Sequence, residues 1–234
     1  MRRTIAILVA LASPAAAADV VPAELAQLTC SRCMTEAEAR NRFRPEQWLN
    51  LEDGEILSAE HTAAGDDRKK HRETEATGII PWPPELVWQV LVDFESRPKF
   101  MAGSTKSDII GIDGNDVRVA QKVKVLWEEI RFTVINTVDP QTGTMDWKID
   151  RSQPHDIAET TGRWQIVPID DGKHTLLMYR SYTDTGRPVP AILEDYLIKR
   201  SLPKIVDAVR DETKRRGKGS AYVLPAGSSE RKNK

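Results

Sequence analysis

The chain has 234 residues, with 34 Lys and Arg against 35 Asp and Glu, and 40% of it is apolar. That near balance lacks the basic footprint of a nucleic-acid-binding protein, so no nucleic-acid partner is expected. The apolar share and the length suffice for one cored domain with extensions.

Arg2 and Arg3 precede the apolar run Ile5 to Leu11, and Ala16-Ala17-Ala18 closes a stretch of small residues. This is the pattern of a secretory signal peptide over residues 1–18, and the run is far shorter than the roughly 20 apolar residues of a membrane span. The mature protein is therefore expected to be soluble and periplasmic or secreted. Thr29 and Gln27, ahead of Cys30, do not suit the small-residue motif of a lipid-anchored cysteine. Without residues 1–18 the basic count falls from 34 to 32 against 35 acids, a formal charge of −3.

Residues 19–53 read as a helical extension. Pro22 opens one amphipathic turn with Leu25 and Leu28, and Thr35 with Glu38 has the spacing of a capping box. Pro45 leads into Trp48 and Leu49, both expected to pack on the domain that follows. Cys30-Ser31-Arg32-Cys33 would need His at position 34 to attach haem, and Met34 stands there. A zinc site would need two further ligands, and a thioredoxin-like centre would need a βαβ unit. A local disulfide between Cys30 and Cys33 is the expected state in an oxidising compartment.

The main domain is expected over residues 54–214. A strand from Gly54 to Thr62 turns at Ala64-Gly65-Asp66-Asp67 into a charged stretch that carries Arg68, Lys69, Lys70, His71 and Arg72. Pro81-Trp82-Pro83-Pro84 then starts a helix with Leu86, Val87, Val90, Leu91 and Phe94 on one stripe. A short strand, Asp108 to Ile112, ends at a Gly114 turn, and from Val117 apolar and charged residues alternate. Beyond Glu128-Glu129 the inward set passes to Ile130, Phe132 and Val134, and a tight turn at Glu128-Glu129 would pair 125 with 132. Further strands at Met145–Ile149, Thr161–Ile169 and Lys173–Thr183 are separated by turns, of which Asp170-Asp171-Gly172 is a strong hairpin signal. The closing helix follows Gly186-Arg187-Pro188-Val189-Pro190 and is expected to kink at Pro203. Residues 215–234 read as a flexible tail.

This order of parts, with Pro83-Pro84-Glu85-Leu86-Val87-Trp88, Gly162-Arg163-Trp164-Gln165-Ile166-Val167-Pro168 and Gly186-Arg187-Pro188-Val189-Pro190, resembles the START-like (SRPBCC) superfamily. The resemblance is to its bacterial polyketide cyclase/dehydrase and coenzyme Q-binding branch. It implies an α+β helix-grip fold, a curved antiparallel sheet of six or seven strands wrapped around a long C-terminal helix, with a hydrophobic ligand cavity between them.

The inward positions name a candidate ligand-binding set: Val119, Val123, Phe132, Val134, Trp147, Trp164, Ile166 and Tyr179 from the sheet, with Ile192 and Tyr196 from the closing helix. Tyr179 and Tyr196 in this set, with Gln121 beside it, are the polar handles. His61, His71, His155 and His174 fall on polar strands or beside turns. No Ser-His-Asp order, phosphate loop or His-Glu-x-x-His motif is present, so no catalytic residue, metal or cofactor is expected. The sequence points to an exported protein that binds a lipid or other hydrophobic small molecule. Trp127 near a hairpin tip and the basic run at 68–72 are candidate points of transient membrane contact. An enzyme using the same cavity, or an interaction module with a filled interior, are the rival readings.

Overall fold

A computed structural model describes residues 20–63, 71–125, 127–186 and 202–219. Three short helices come first: α1 (Ala23–Ala26), α2 (Glu36–Arg40) and α3 (Pro45–Glu52). The Thr35 box forms at α2, where the Thr35 hydroxyl accepts from the Glu38 amide at 3.3 Å and the Glu38 carboxylate accepts from the Thr35 amide at 2.8 Å. Two of the helix's orphan donors are satisfied this way. Strands β1 (Leu57–Ala63) and β2 (His71–Ile80) follow, then α4 (Pro84–Val92) and α5 (Arg97–Phe100). Strands β3 (Ser104–Asp113), β4 (Asp116–Val125), β5 (Glu128–Asp139), β6 (Thr144–Ile149), β7 (Glu159–Ile169) and β8 (His174–Asp184) precede the closing helix α6 (Leu202–Gly219).

The eight strands form one antiparallel sheet in the order β1-β2-β8-β7-β6-β5-β4-β3. Strands β3 to β8 meander between neighbours in sequence, whereas α4 and α5 carry the chain from β2 to the far edge. The sheet thus has eight strands where six or seven were expected, because both arms of the first hairpin pair fully, from Leu57 opposite Thr77 to Ala63 opposite His71.

One hairpin differs in register from the sequence expectation. Val125 pairs with Glu128 and Val123 with Ile130, so the chain reverses between Val125 and Glu128 and not at Glu128-Glu129. The displacement is an even number of residues, so every side chain keeps its face. Val117, Val119, Ile130, Phe132 and Val134 all remain on the inner side.

The core between sheet and helices is built from Ile80, Val117, Val119, Val138, Met145, Ile166 and Leu177, all fully buried, against Val87, Trp88 and Phe94 from the α4 region and Val206 and Val209 of α6. The apolar stripe of α4 is the one the 3.6-residue spacing specifies. Pro203 is the second residue of the described part of α6, and the residues directly ahead of it, on which the expected kink depends, lie outside the described residues. The described helix runs to Gly219, beyond residue 214. The expected helical positions Ile192 and Tyr196 and the tail from residue 220 lie outside the described residues, as does the signal pattern at 1–18.

The N-terminal segment packs on both sides of the sheet. Leu25 and Leu28 join the inner core, where the Trp88 indole donates to the Leu25 carbonyl at 2.8 Å. Cys30 and Cys33 are bonded as expected, and the loop they close docks on the β5–β6 turn through Thr29 and Cys30 amides to Pro140 O at 3.0 Å. Gly143 in that turn has φ +65° and leaves room for Cys33, whose Sγ would stand 2.9 Å from a β-carbon there. Helices α2 and α3 then cover the outer face with Ala39, Trp48 and Leu51 against Val167, Ile169 and Leu176. Leu49 does not pack as expected. It is 58% exposed, and Leu51 takes the inward position.

Candidate functional site

All eight candidate residues on the strands lie on the concave inner face, but they divide into two groups. Val119, Val134, Trp164 and Ile166 are buried in the core. Val123, Phe132, Trp147 and Tyr179 keep part of their surface open. The open group is the part of the face that stays accessible.

Its centre is an aromatic platform. The Trp147 and Tyr179 rings stack at 5.5 Å, and Trp164 tilts against Tyr179 at 4.6 Å. Glycine at 162 makes this arrangement possible: it faces Trp147 across β6–β7 and Ser181 across β7–β8. A β-carbon at 162 would lie 2.1 Å from Trp147 Cζ2 and 2.3 Å from the Arg180 carbonyl, so no side chain fits while the indole lies across the strand. The stacked geometry is the offset arrangement that aromatic quadrupoles favour.

Polar groups edge this platform. Burial pushes the Tyr179 phenol up from its ordinary value, against the opposing pull of Ser181 and of Arg97. Arg97 opens α5 and lays its guanidinium 4.6 Å from the centroid of Phe94. Its Nη2 donates to the Leu91 carbonyl at 3.2 Å. Burial lowers its pKa to about 10, with Tyr179 and Asp93 acting in the opposite sense, so it remains a cation at neutral pH. Gln121 and Ser107 pair across β3–β4 on the same inner face, Gln121 half-buried and Ser107 buried with its hydroxyl unpartnered. On α6, Arg210 reaches towards Gly78 with Nε and Nη2 buried and unpartnered, while Nη1 holds Asp207 at 2.9 Å.

Arg97, Ser107 and Arg210 were not among the sequence candidates. Arg97 follows Glu95-Ser96 beyond the end of an amphipathic helix, and nothing in that local pattern distinguishes it from a solvated turn residue. Its burial is set by where α5 docks.

The outer face has a different character. A cleft of about 700 Å³ runs between the disulfide loop, α2 and strands β5 to β7, lined by Arg32, Cys33, Arg42, Asp139, Asp146 and Arg163 among others. A second of about 250 Å³ adjoins it through Arg42, Arg163 and Gln165. Most of the charges here are paired: Arg163 binds Asp146 at 2.6 and 2.9 Å, and Arg32 lies 3.8 Å from Asp139.

His155 is exposed with Nδ1 at 2.9 Å from the Gln153 carbonyl, and His174 lies 3.3 Å from Asp170 in the β7–β8 turn. Among the described residues no cluster of His, Cys, Asp and Glu could hold a metal ion, and no helix is long and apolar enough to cross a membrane. Trp127 at the β4–β5 tip is 81% exposed.

A curved antiparallel sheet closed by a C-terminal helix, with a partly open aromatic surface between them, defines a START-like helix-grip protein. Residues 71–216 match the family described as polyketide cyclase / dehydrase and lipid transport, and the chain belongs to that family. No curated protein matches it. Among solved structures it is similar to the Zhui aromatase/cyclase from Streptomyces sp. R1128, with TM-score 0.56 and 18% identity over 72% of this chain and 100% of that one. It is also similar to a STAR-related lipid transfer protein from Xanthomonas axonopodis, with TM-score 0.58 and 15% identity over 68% and 93%. Human StAR-related lipid transfer protein 5 gives TM-score 0.55 and 14% identity over 70% and 84%.

Proposed function

We propose that this chain is an exported binding protein that holds a lipid or other hydrophobic small molecule against the concave face of its sheet and carries it through an aqueous compartment. The observation that carries this reading is the part-open state of Phe132, Trp147 and Tyr179 on the same face as the buried Val119, Val134, Trp164 and Ile166. Rings of this size left open on a concave face gain about 25 cal/mol per Å² when an apolar molecule covers them. The family description includes lipid transport, and two of the similar structures are titled as lipid transfer proteins, which supports the same ligand class.

Export rests on the signal pattern of residues 1–18, and the Cys30–Cys33 disulfide suits the oxidising compartment it would lead to. Loading and release would take place at a membrane surface, with Trp127 at the β4–β5 tip as the contact residue. Cyclase or dehydrase chemistry would need a group set to move a proton. Arg97 stays charged and Tyr179 stays protonated near pH 7, so neither is poised as a general base.

The test is native mass spectrometry of the full chain expressed with its own N-terminus and recovered from a periplasmic extract, followed by organic extraction. A stoichiometric hydrophobic adduct that is lost in Phe132→Asp and Trp164→Asp is expected. A bare mass that stays unchanged across a lipid panel would overturn the carrier reading, and retention of the protein in the cytoplasm would overturn export.

A further inference from the structure

We infer that the molecule bound on the inner face carries a carboxylate, and that the guanidinium of Arg97 is the group that receives it. This rests on the reading of that face as a hydrophobic binding site and adds the chemistry of the polar end.

The argument begins with the pairing of Arg97. A guanidinium is a planar fork of several N–H donors. Among the described residues its one hydrogen bond is that to the Leu91 carbonyl, and its other contact is the ring of Phe94. The carboxylate that acts on it, Asp93, is already engaged: Asp93 Oδ2 accepts from Arg216 Nη2 at 2.7 Å, and Oδ1 accepts from the Ser96 amide at 3.3 Å. A cation held among apolar groups is costly unless an anion meets it. Arg163 and Arg40 on the outer face have such partners, and Arg97 has an open fork.

The surroundings narrow the anion. Arg97 acts electrostatically on Tyr179, which is part of the stacked platform with Trp147 and Trp164. A molecule lying on that platform therefore brings one end within the field of Arg97 while its apolar body covers the rings. Carboxylate matches the guanidinium fork through two parallel N–H···O bonds and needs only one cation. The Tyr179 hydroxyl, on which Ser181 also acts, is kept protonated by its burial. Among the described residues, the Ser107 hydroxyl and Nε and Nη2 of Arg210 on this side of the sheet also have no hydrogen-bond partner.

Matched probes test this on the full mature chain: dodecanoate and dodecanol, titrated separately into wild type, Arg97→Met and Arg97→Lys and followed by tryptophan fluorescence. Wild type is expected to prefer the acid by about tenfold, the scale of one charge-assisted hydrogen-bonded pair. Arg97→Met brings the ratio near one, and a cooperative urea transition reports that the variant is folded. Arg97→Lys keeps the charge without the planar fork and falls between. Equal binding of both probes by wild type overturns the carboxylate assignment and leaves the hydrophobic site standing. A preference that survives Arg97→Met assigns the anion to another cation and overturns the role of Arg97. If Arg97→Met no longer binds dodecanol, the Lys variant decides alone, and a ratio equal to wild type overturns the proposal. Failure of wild type to bind either probe overturns the hydrophobic site and this inference with it.

Discussion

The two faces of one sheet treat charge in opposite ways. On the outer face, the arginines at Arg40, Arg131 and Arg163 sit within hydrogen-bond distance of carboxylates, and the bond from Asp146 pushes the pKa of Arg163 above its ordinary value. On the inner face, Arg97 is pulled down to about 10 by burial and meets a carbonyl and a ring. Paired surface charges contribute little to stability and give solubility and register. A cation that is kept in an apolar setting without a full partner costs stability, and such costs are retained where function uses the group. The contrast separates outer-face arginines that the protein pairs itself from Arg97, which is paired by a bound molecule if the proposed site holds.

The largest effect that would sharpen this contrast is expected from Trp164→Ala. It removes a buried ring from beneath the platform and should cost about 4 kcal/mol in urea unfolding, together with hydrophobic ligand binding. Leu51→Ala on α3, fully buried against the outer face, should cost about 3 kcal/mol and leave binding affinity intact in the folded fraction. Loss of binding in that variant would show that the faces are not independent.

Glu212 gives a smaller effect with a defined pH window. Its carboxylate is held below the ordinary value by hydrogen bonding to Arg215, against burial and with further help from Arg216. A folded pKa below the unfolded one contributes stability that is fully present above about 4.5 and is lost as pH falls through the lower folded value. Glu212→Gln should therefore cost about 2 kcal/mol at pH 7 and flatten the acid limb of a stability profile below that point. An unchanged acid limb would remove Glu212 from the account.

The smallest effects carry the comparison most directly, because they differ in sign. Arg163→Met strands Asp146 and should destabilise by roughly 0.5 kcal/mol. Arg97→Met removes a desolvated cation and should stabilise the unliganded protein by about 1 kcal/mol. Equal signs in parallel urea titrations would erase the distinction between the faces.

Much of the inner face was legible in the sequence because alternation is a parity signal. Val117, Val119, Phe132 and Val134 point inward whether the chain reverses between Val125 and Glu128 or two residues later, since the even displacement leaves parity untouched. The division of that face into closed and open residues was not legible, because it depends on how far α4 and α6 reach across the sheet. Trp147 and Trp164 look alike as inward tryptophans, yet Trp147 is part-open and Trp164 closed. The outer clusters were missed for a related reason. Val167, Ile169 and Leu176 alternate with inner residues that are also apolar, so β7 and β8 read as buried on both sides without saying that α2 and α3 are the cover.

The adjacency of β2 and β8 has a consequence for how the chain is made. Thr74 meets Ser181 across that pair, 107 residues away in sequence, whereas β3 to β7 join only to strands adjacent to them in sequence. Closing so long a loop costs chain entropy and slows folding, while local hairpins close early. In a polypeptide that emerges N-terminus first, the earliest strands to appear are the last to find their place. The β1–β2 hairpin has to wait with an open edge until nearly the whole domain has followed it, so this hairpin is where a chaperone would be needed.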